Sequence, residues 1–360
     1  MKILITGACA VSARSVLRSL KMSPIFKDCE FIGWDMCNLL YGLYEGVFDR
    51  IYKVPAVSDP AYREVAQRIL DDERPDAAII VPEVEVLYWA KHPFDVPHIV
   101  PQAAFAELAI SKERVFEALS PYGLVPQNAV LSADELLDPA FESPLGYPVW
   151  IRDGAPGTAS AKGALKATCR DDIQAWVKLN AGIPKFQISE FLPGGNFGCF
   201  CLFKDGRLVK LAQAERIEYI MAKVAVSGIT GNTSKGRLLN DSRIADTALK
   251  AIDIISKATG SVMNGLVVVD MKADADGNPK VTEINIRHVA FSSSFAMAGI
   301  NISEAQLLLA LGRDADVSPD VEKIFPEGNL ILRDVDGSPI YIEAHHDIAS
   351  GQYIGKKKEA

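Results

Sequence analysis

Two carboxylates, an amide and a guanidinium fall close together late in the chain: Asp270, then Glu283-Ile284-Asn285-Ile286-Arg287. Asp270 follows an apolar run, Gly265-Leu266-Val267-Val268-Val269, that reads as a strand. Glu283 and Asn285 lie two apart on the next strand and so share a face. The turn Asp274-x-Asp276-Gly277 makes the two strands a hairpin and brings Asp270 alongside. Carboxylates gathered this way repel unless a cation sits between them. Hard oxygen donors suit magnesium, or manganese in its place, held through nucleotide phosphates. Arg287 points to the same place and offers a two-pronged donor to phosphate. The plainer reading is a hairpin with a surface salt bridge.

Weaker signals stand further upstream. Arg152 leaves a strand, Tyr147 to Ile151, and enters a stretch of small residues from Gly154 to Gly163, with Gly157 and Ser160 inside it. Small residues let backbone amides approach phosphates, though the pattern is not that of a P-loop and serves a plain hairpin equally well. Ser189-Glu190-Phe191-Leu192-Pro193-Gly194 is a strand that ends in a carboxylate and a turn, able to present backbone groups to a purine edge. Glu83 and Glu85 follow a strand, Ala77 to Val81; the carboxyl end of a parallel strand is where α/β ligand sites form, and Glu85 is read as a substrate contact against the alternative of a surface acid. Arg216 and Lys223 lie in a polar, glycine-bearing stretch to Arg237 without clear period, read as a long loop and candidate substrate lid. His288 follows Arg287 and is a candidate for proton transfer, against the commoner role of a hydrogen-bonded histidine.

These residues need elements to position them. Lys2–Thr6, Phe31–Asp35 and Ala77–Val81 are short apolar strands separated by helical stretches, which predicts a parallel sheet covered on both faces over residues 1–105. Ser111 caps a helix that stops at Gly123. Strands over Phe186–Phe191, Phe197–Phe203 and Leu208–Ala212 follow, the last two joined at Asp205-Gly206, and Asp241 to Thr259 and Ser303 to Leu311 read as helices.

The 360 residues are 49% hydrophobic and 23% charged, enough for two or three packed units. A net charge of −8 argues against nucleic acid as a partner. The one basic run, Lys356-Lys357-Lys358, reads as a solvated tail. No apolar run reaches the roughly 18 residues of a membrane span, and the six scattered cysteines read as reduced, buried thiols, so a cytoplasmic protein is expected. Cys199-x-Cys201 reads as core packing.

Taken in order, Lys112, Arg152 with its loop, Glu190, Asp270, Glu283, Asn285 and Arg287 resemble the ATP-grasp superfamily over residues 1–312, most closely the modules of the carbamoyl-phosphate synthetase large subunit and its stand-alone relatives. The segment from Glu283 to Arg287 is similar to the family's E-x-N-P-R signature, with Ile286 in place of proline. The resemblance implies a mixed α/β and α+β protein: a Rossmann-like pre-grasp domain over 1–105, a two-lobed grasp fold over 106–186 and 187–315, and an appendage over 316–360. It implies that Lys112 contacts the α-phosphate and Arg152 the α- and β-phosphates. The loop with Gly157, Ser160 and Gly163 would close over the β- and γ-phosphates. Glu190, Phe191 and Leu192 would form the adenine hinge, and Asp270, Glu283 and Asn285 would bind one or two magnesium ions. Arg287 would steady the transferred phosphoryl group. Asn196 stands where relatives carry an acid toward the ribose. The implied activity is ADP-forming ligation of a small-molecule carboxylate to an amine through an acyl phosphate, in a chain that can pair as a homodimer. Two other readings compete. A non-catalytic ATP-binding scaffold is favoured by Asn196. A nicotinamide-dependent reductase is suggested by Gly7-Ala8-Cys9-Ala10 and by the YxxxK spacing of Tyr219 and Lys223, but lacks the further glycines.

Overall fold

A computed structural model describes residues 1–37, 41, 42, 44, 48–154, 164–334 and 348–355. Its first part alternates β1 (Lys2–Thr6), α1 (Val11–Lys21), β2 (Glu30–Asp35), β3 (Arg50–Lys53), α2 (Tyr62–Glu73), β4 (Ala77–Ile79) and α3 (Glu83–Lys91). The four strands run parallel in the order β3-β2-β1-β4, with Ile3 opposite Phe31 on one side and Ala77 on the other. Their near-continuous apolar sequences follow from burial on both faces. Glu83 and Glu85, read as lying just after a strand, sit in the first turn of α3.

The second part runs α4 (Ala103–Ala109), α5 (Lys112–Leu119), β5 (Asn128–Ser132), α6 (Ala133–Leu137), β6 (Val149–Asp153), β7 (Leu165–Ala167), α7 (Arg170–Leu179) and β8 (Lys185–Glu190). Ser111 caps α5 by accepting from the Arg114 amide at 3.3 Å, and Gly123 stops the following turn with φ 66°. The strands form an antiparallel sheet ordered β5-β8-β6-β7. Val149, Ile151, Phe186 and Ile188 face a core shared with α6 and α7. By the two-residue period, Arg152 and its register partner Gln187 lie on the opposite face.

The third part is built on β9 (Asn196–Lys204), β10 (Arg207–Tyr219), β11 (Thr233–Leu239), α8 (Ser242–Thr259), β12 (Gly265–Ala273), β13 (Pro279–Asn285), α9 (Ser292–Met297) and α10 (Ile302–Ala310). Two late strands follow, β14 (Ile331–Leu332) and β15 (Tyr353–Gly355). The antiparallel order is β13-β12-β9-β10-β11-β14. Residues 216–237, read throughout as a loop, are strand at both ends, where β10 continues to Tyr219 and β11 begins at Thr233; the stretch between them, 220–232, is a long connection with one short helical turn. Alternation was obscured there because β10 carries Arg216, Glu218 and irregular register at its half-exposed C-terminal end. Residues beyond 316 add β14 to this sheet and β15 to the first, antiparallel to β3.

One face of the large sheet, with Val267, Val269, Met271, Cys199 and Cys201, packs against Ile244, Ala248, Ile252 and Ile255 of α8. The other, with Leu266, Val268, Phe200 and Leu202, packs against Phe291 and Phe295. Asp270 continues the second face. Of the cysteines, Cys29, Cys199 and Cys201 are buried while Cys37 and Cys169 are exposed, so the expectation of uniformly buried thiols is corrected; all six are free.

Candidate active site

Pairing between β12 and β13 sets Asp270 directly opposite Glu283 and Val268 opposite Asn285. Ile284 and Ile286 turn into the α8 core, so Glu283, Asn285 and Arg287 take the other face with Asp270. The Asn285 amide donates to Asp270 Oδ2 at 3.3 Å, and Arg216 on β10 donates to Asp270 Oδ1 at 2.5 Å. The strand between them is β9, where Gly198 lies opposite both Asp270 and Ala214. A methyl group on Gly198 would stand 3.1 Å from the Arg216 guanidinium, so the glycine is the floor over which this ion pair lies.

Further cations converge from other elements. Lys112, at the start of α5, reaches Glu283 at 3.6 Å. Arg152 donates to Gln187 Oε1 at 2.8 Å and to the Thr282 carbonyl at 3.2 Å, so it crosses from the four-stranded sheet to β13. Arg287 lies 3.6 Å from Glu83 and donates to the His288 carbonyl at 3.1 Å. Burial lifts the Asp270 carboxyl above its ordinary range and Glu283 adds to this, against the pull of Arg216. Burial likewise raises Glu83. Burial pushes the Arg152 guanidinium down to about 10, opposed by Glu283, which leaves it charged at neutral pH. For Arg216 burial is the largest single influence and lowers the group, but Asp270, Tyr219 and Glu283 together outweigh it and raise it.

The segment after β8 links the two antiparallel sheets. Glu190 accepts from the Gln127 amide at 3.1 Å through its side chain, Leu192 is buried, and the Lys166 ammonium stands 4.1 Å over the Phe191 ring. Gly194 donates to Ala273 O at 3.0 Å, and Lys272 donates to Gly194 O at 2.8 Å, which ties the link to β12. Asn196 opens β9 opposite Arg216 and Lys272. Gly157, Ser160 and Gly163 lie outside the described residues.

Two expected substrate contacts, Glu85 and His288, are corrected. Glu85 is 5% exposed and faces inward, accepting from Trp34 Nε1 at 2.9 Å and the Tyr62 hydroxyl at 2.8 Å. His288 is 1% exposed, locked between Ser292 Oγ at 2.9 Å and Gln306 Oε1 at 2.8 Å, and burial lowers it to about 4, so it stays neutral. Lys223 is exposed on a short turn between β10 and β11. The same placement dissolves the YxxxK pairing, because Tyr219 ends a strand rather than sharing a helix face with Lys223. Glu83 is the residue the sequence reading passed over in favour of Glu85. In a helix two residues differ by about 200°, so one faces the core and the other the cleft.

Together, Lys112, Arg152, Arg216 and Arg287 surround Asp270, Glu283 and Asn285. Both carboxylates and the amide are hard oxygen donors, with no histidine or cysteine among them, a set suited to a divalent cation and the phosphates it bridges. No protein-family model and no curated protein sequence matches the chain. Solved structures do. The N5-carboxyaminoimidazole synthetase from Staphylococcus aureus complexed with ADP aligns at TM-score 0.62 and 15% identity over 92% of this chain and 79% of that one. The L-amino acid ligase from Bacillus licheniformis aligns at 0.61 and 16% over 88% and 77%. The D-alanine–D-alanine ligase from Bacillus anthracis complexed with ATP aligns at 0.55 and 13% over 88% and 99%.

Proposed function

With the ATP-grasp fold of this chain as the premise, we propose that it is an ATP- and magnesium-dependent ligase that converts a carboxylate to an acyl phosphate, releases ADP, and passes the acyl group to an amine. The observation that carries this reading is the Asp270–Glu283–Asn285 set on two paired strands, ringed by four cationic side chains.

Asp270, Glu283 and Asn285 would hold the metal, which would supply positive charge to offset that of the transferring phosphoryl group. Arg216 and the Asn285 amide now occupy the two Asp270 oxygens, so metal binding requires Arg216 to release Asp270 and Asn285 to turn its carbonyl inward. Arg216 is then free for phosphate or substrate carboxylate. Lys112 and Arg152 take the inner phosphates, and Arg287 the transferred phosphoryl group. The segment Glu190–Leu192 receives the adenine, and the stretch holding Gly157, Ser160 and Gly163 covers the phosphates. The reaction needs no covalent nucleophile from the protein.

Hydroxylamine trapping tests this. Protein, ATP and magnesium are incubated with pools of carboxylates, amino acids first, and scored for hydroxamate and ADP. Hydroxamate matched by ADP supports the acyl phosphate. AMP and pyrophosphate in their place overturn it.

A further inference from the structure

Glu83 and Arg287 come from separately built sheets. Glu83 opens α3 immediately after β4 of the parallel sheet, and Arg287 leaves β13 of the antiparallel one. The base under Glu83 is rigid. The Val81 amide donates to Thr6 Oγ1 at 3.1 Å, and the Val86 amide to the Pro82 carbonyl at 2.9 Å. The Gly7 turn lies so close that a methyl there would stand 2.7 Å from Pro82. Glu85, two residues on, is fixed by Trp34 and Tyr62.

The Glu83 carboxylate leaves this base into a crowded negative region. The Arg287 guanidinium at 3.6 Å is the cation with which it forms an ion pair and its strongest attraction; Glu283 and Asp270 repel it, and Lys112 adds a weaker pull. A carboxylate held among other carboxylates is costly without such a partner. Arg287 in turn has one donor committed to its own neighbour's carbonyl and meets no other carboxylate in an ion pair among the described residues. At 3.6 Å the pair is an ionic contact rather than a closed hydrogen bond, so the guanidinium keeps donors to offer.

We propose that Glu83 is a positioning residue: it holds the Arg287 guanidinium over the Asp270–Glu283–Asn285 face, so that the parallel sheet sets the cation that receives the transferred phosphoryl group. This rests on the function proposed above. It gives the parallel sheet a part in the phosphoryl chemistry, beyond any part in shaping the substrate cleft.

A double-mutant cycle decides it, read by calorimetric titration of Mg·ATP into wild type, Glu83→Gln, Arg287→Ala and the double variant, with melting temperatures to confirm folding. Coupled positions should show Glu83→Gln altering affinity about 3- to 10-fold alone, yet less than about 2-fold once Arg287 is absent. Glu83→Asp, which keeps the charge but withdraws it, should fall between wild type and Glu83→Gln. Equal effects of Glu83→Gln in both backgrounds would show that Glu83 acts on nucleotide or metal directly, and a Glu83→Gln protein that matches wild type would remove its role; either overturns the proposal. An Arg287→Ala protein with unchanged Mg·ATP affinity overturns it from the other side. Wild-type protein that binds no Mg·ATP overturns the ligase reading itself, and this inference with it.

Discussion

Two buried carboxylates on helices flanking the parallel sheet show how environment sets the sign of a pH response. Burial pushes Glu73 up, but hydrogen bonds from Arg50, Lys2 and Tyr52 outweigh it and hold the group at about 2. Its stabilising share is therefore complete above the ordinary carboxylate value of 4.5 and fades as pH falls toward 2. Glu85 runs the other way. Burial dominates, one oxygen has no hydrogen-bond partner among the described residues, and the group rises to about 7 despite Thr6, Tyr62 and Trp34. Its share is complete below 4.5 and is lost as pH climbs through 7. Glu85→Gln keeps the acceptor oxygen and removes the ionisation. The variant should match wild type near pH 5 and exceed it near pH 8 by about 1–3 kcal/mol in urea unfolding; equal stability at pH 8 would refute the assignment. At the candidate site, Glu283→Gln should lower hydroxamate formation at least about 100-fold with little change in melting temperature, because it removes charge at the proposed metal site without changing volume. Wild-type rates in that variant would sink the metal role. At this scale the sequence was most legible where spacing alone defines a face: Asp270, Glu283 and Asn285 do come together. Glu85 and His288 were misplaced because a polar side chain in an apolar segment reads alike whether it faces a cleft or a buried hydrogen-bond partner.

Elements place these groups through close backbone contacts that only small residues allow. Gly265 starts β12 with φ 77°, and a methyl there would meet the Val100 backbone at 2.9 Å. Strain and clash act together, so Gly265→Ala should cost about 2 kcal/mol or more in chemical unfolding. A loss under about 0.5 kcal/mol would show that the segment around Val100 yields instead. Gly198→Ala presents a separate test, because its methyl would press on Arg216 rather than on backbone. It should weaken Mg·ATP binding several-fold while leaving the unfolding midpoint nearly unchanged. Unaltered affinity would mean that Arg216 has room to shift. Apolar runs such as Val267–Val269 announced their strands plainly, as did the cap at Ser111. The β10–β11 hairpin did not, since its outer strand is polar, glycine-bearing and bulged. Short elements such as β5 and α6 carry too few residues for a period to show.

The molecule as a whole closes on its first strand. Ile3, Ile5, Ala77 and Ile79 share a core with Leu307 and Leu308 of α10, and Ser15 of α1 meets Ser293 of α9 at 3.0 Å. Tyr353 of β15 packs on Tyr52 of β3 with the rings tilted by 48° and their centres 5.1 Å apart. Leu307→Ala should therefore destabilise by about 2–5 kcal/mol and speed hydrogen exchange at Ile3 and Ile5, although the substitution lies three hundred residues away. Exchange confined to α10 would show that the sheets melt independently. None of these pairings was visible in the sequence, because long-range partners leave no local period; what was visible was the class of each segment.

That closure bears on how the chain is made. β1 is synthesised about three hundred residues before Leu307 and Leu308, which cover its face, and its sheet gains the edge strand at 353–355, paired to β3, later still. Until α10 has been made, the nascent parallel sheet presents an unfinished apolar flank. Forms truncated ahead of Leu307 should accordingly be captured by chaperones or aggregate, and the site between Glu83 and Arg287 can assemble only once the chain has been made through Arg287.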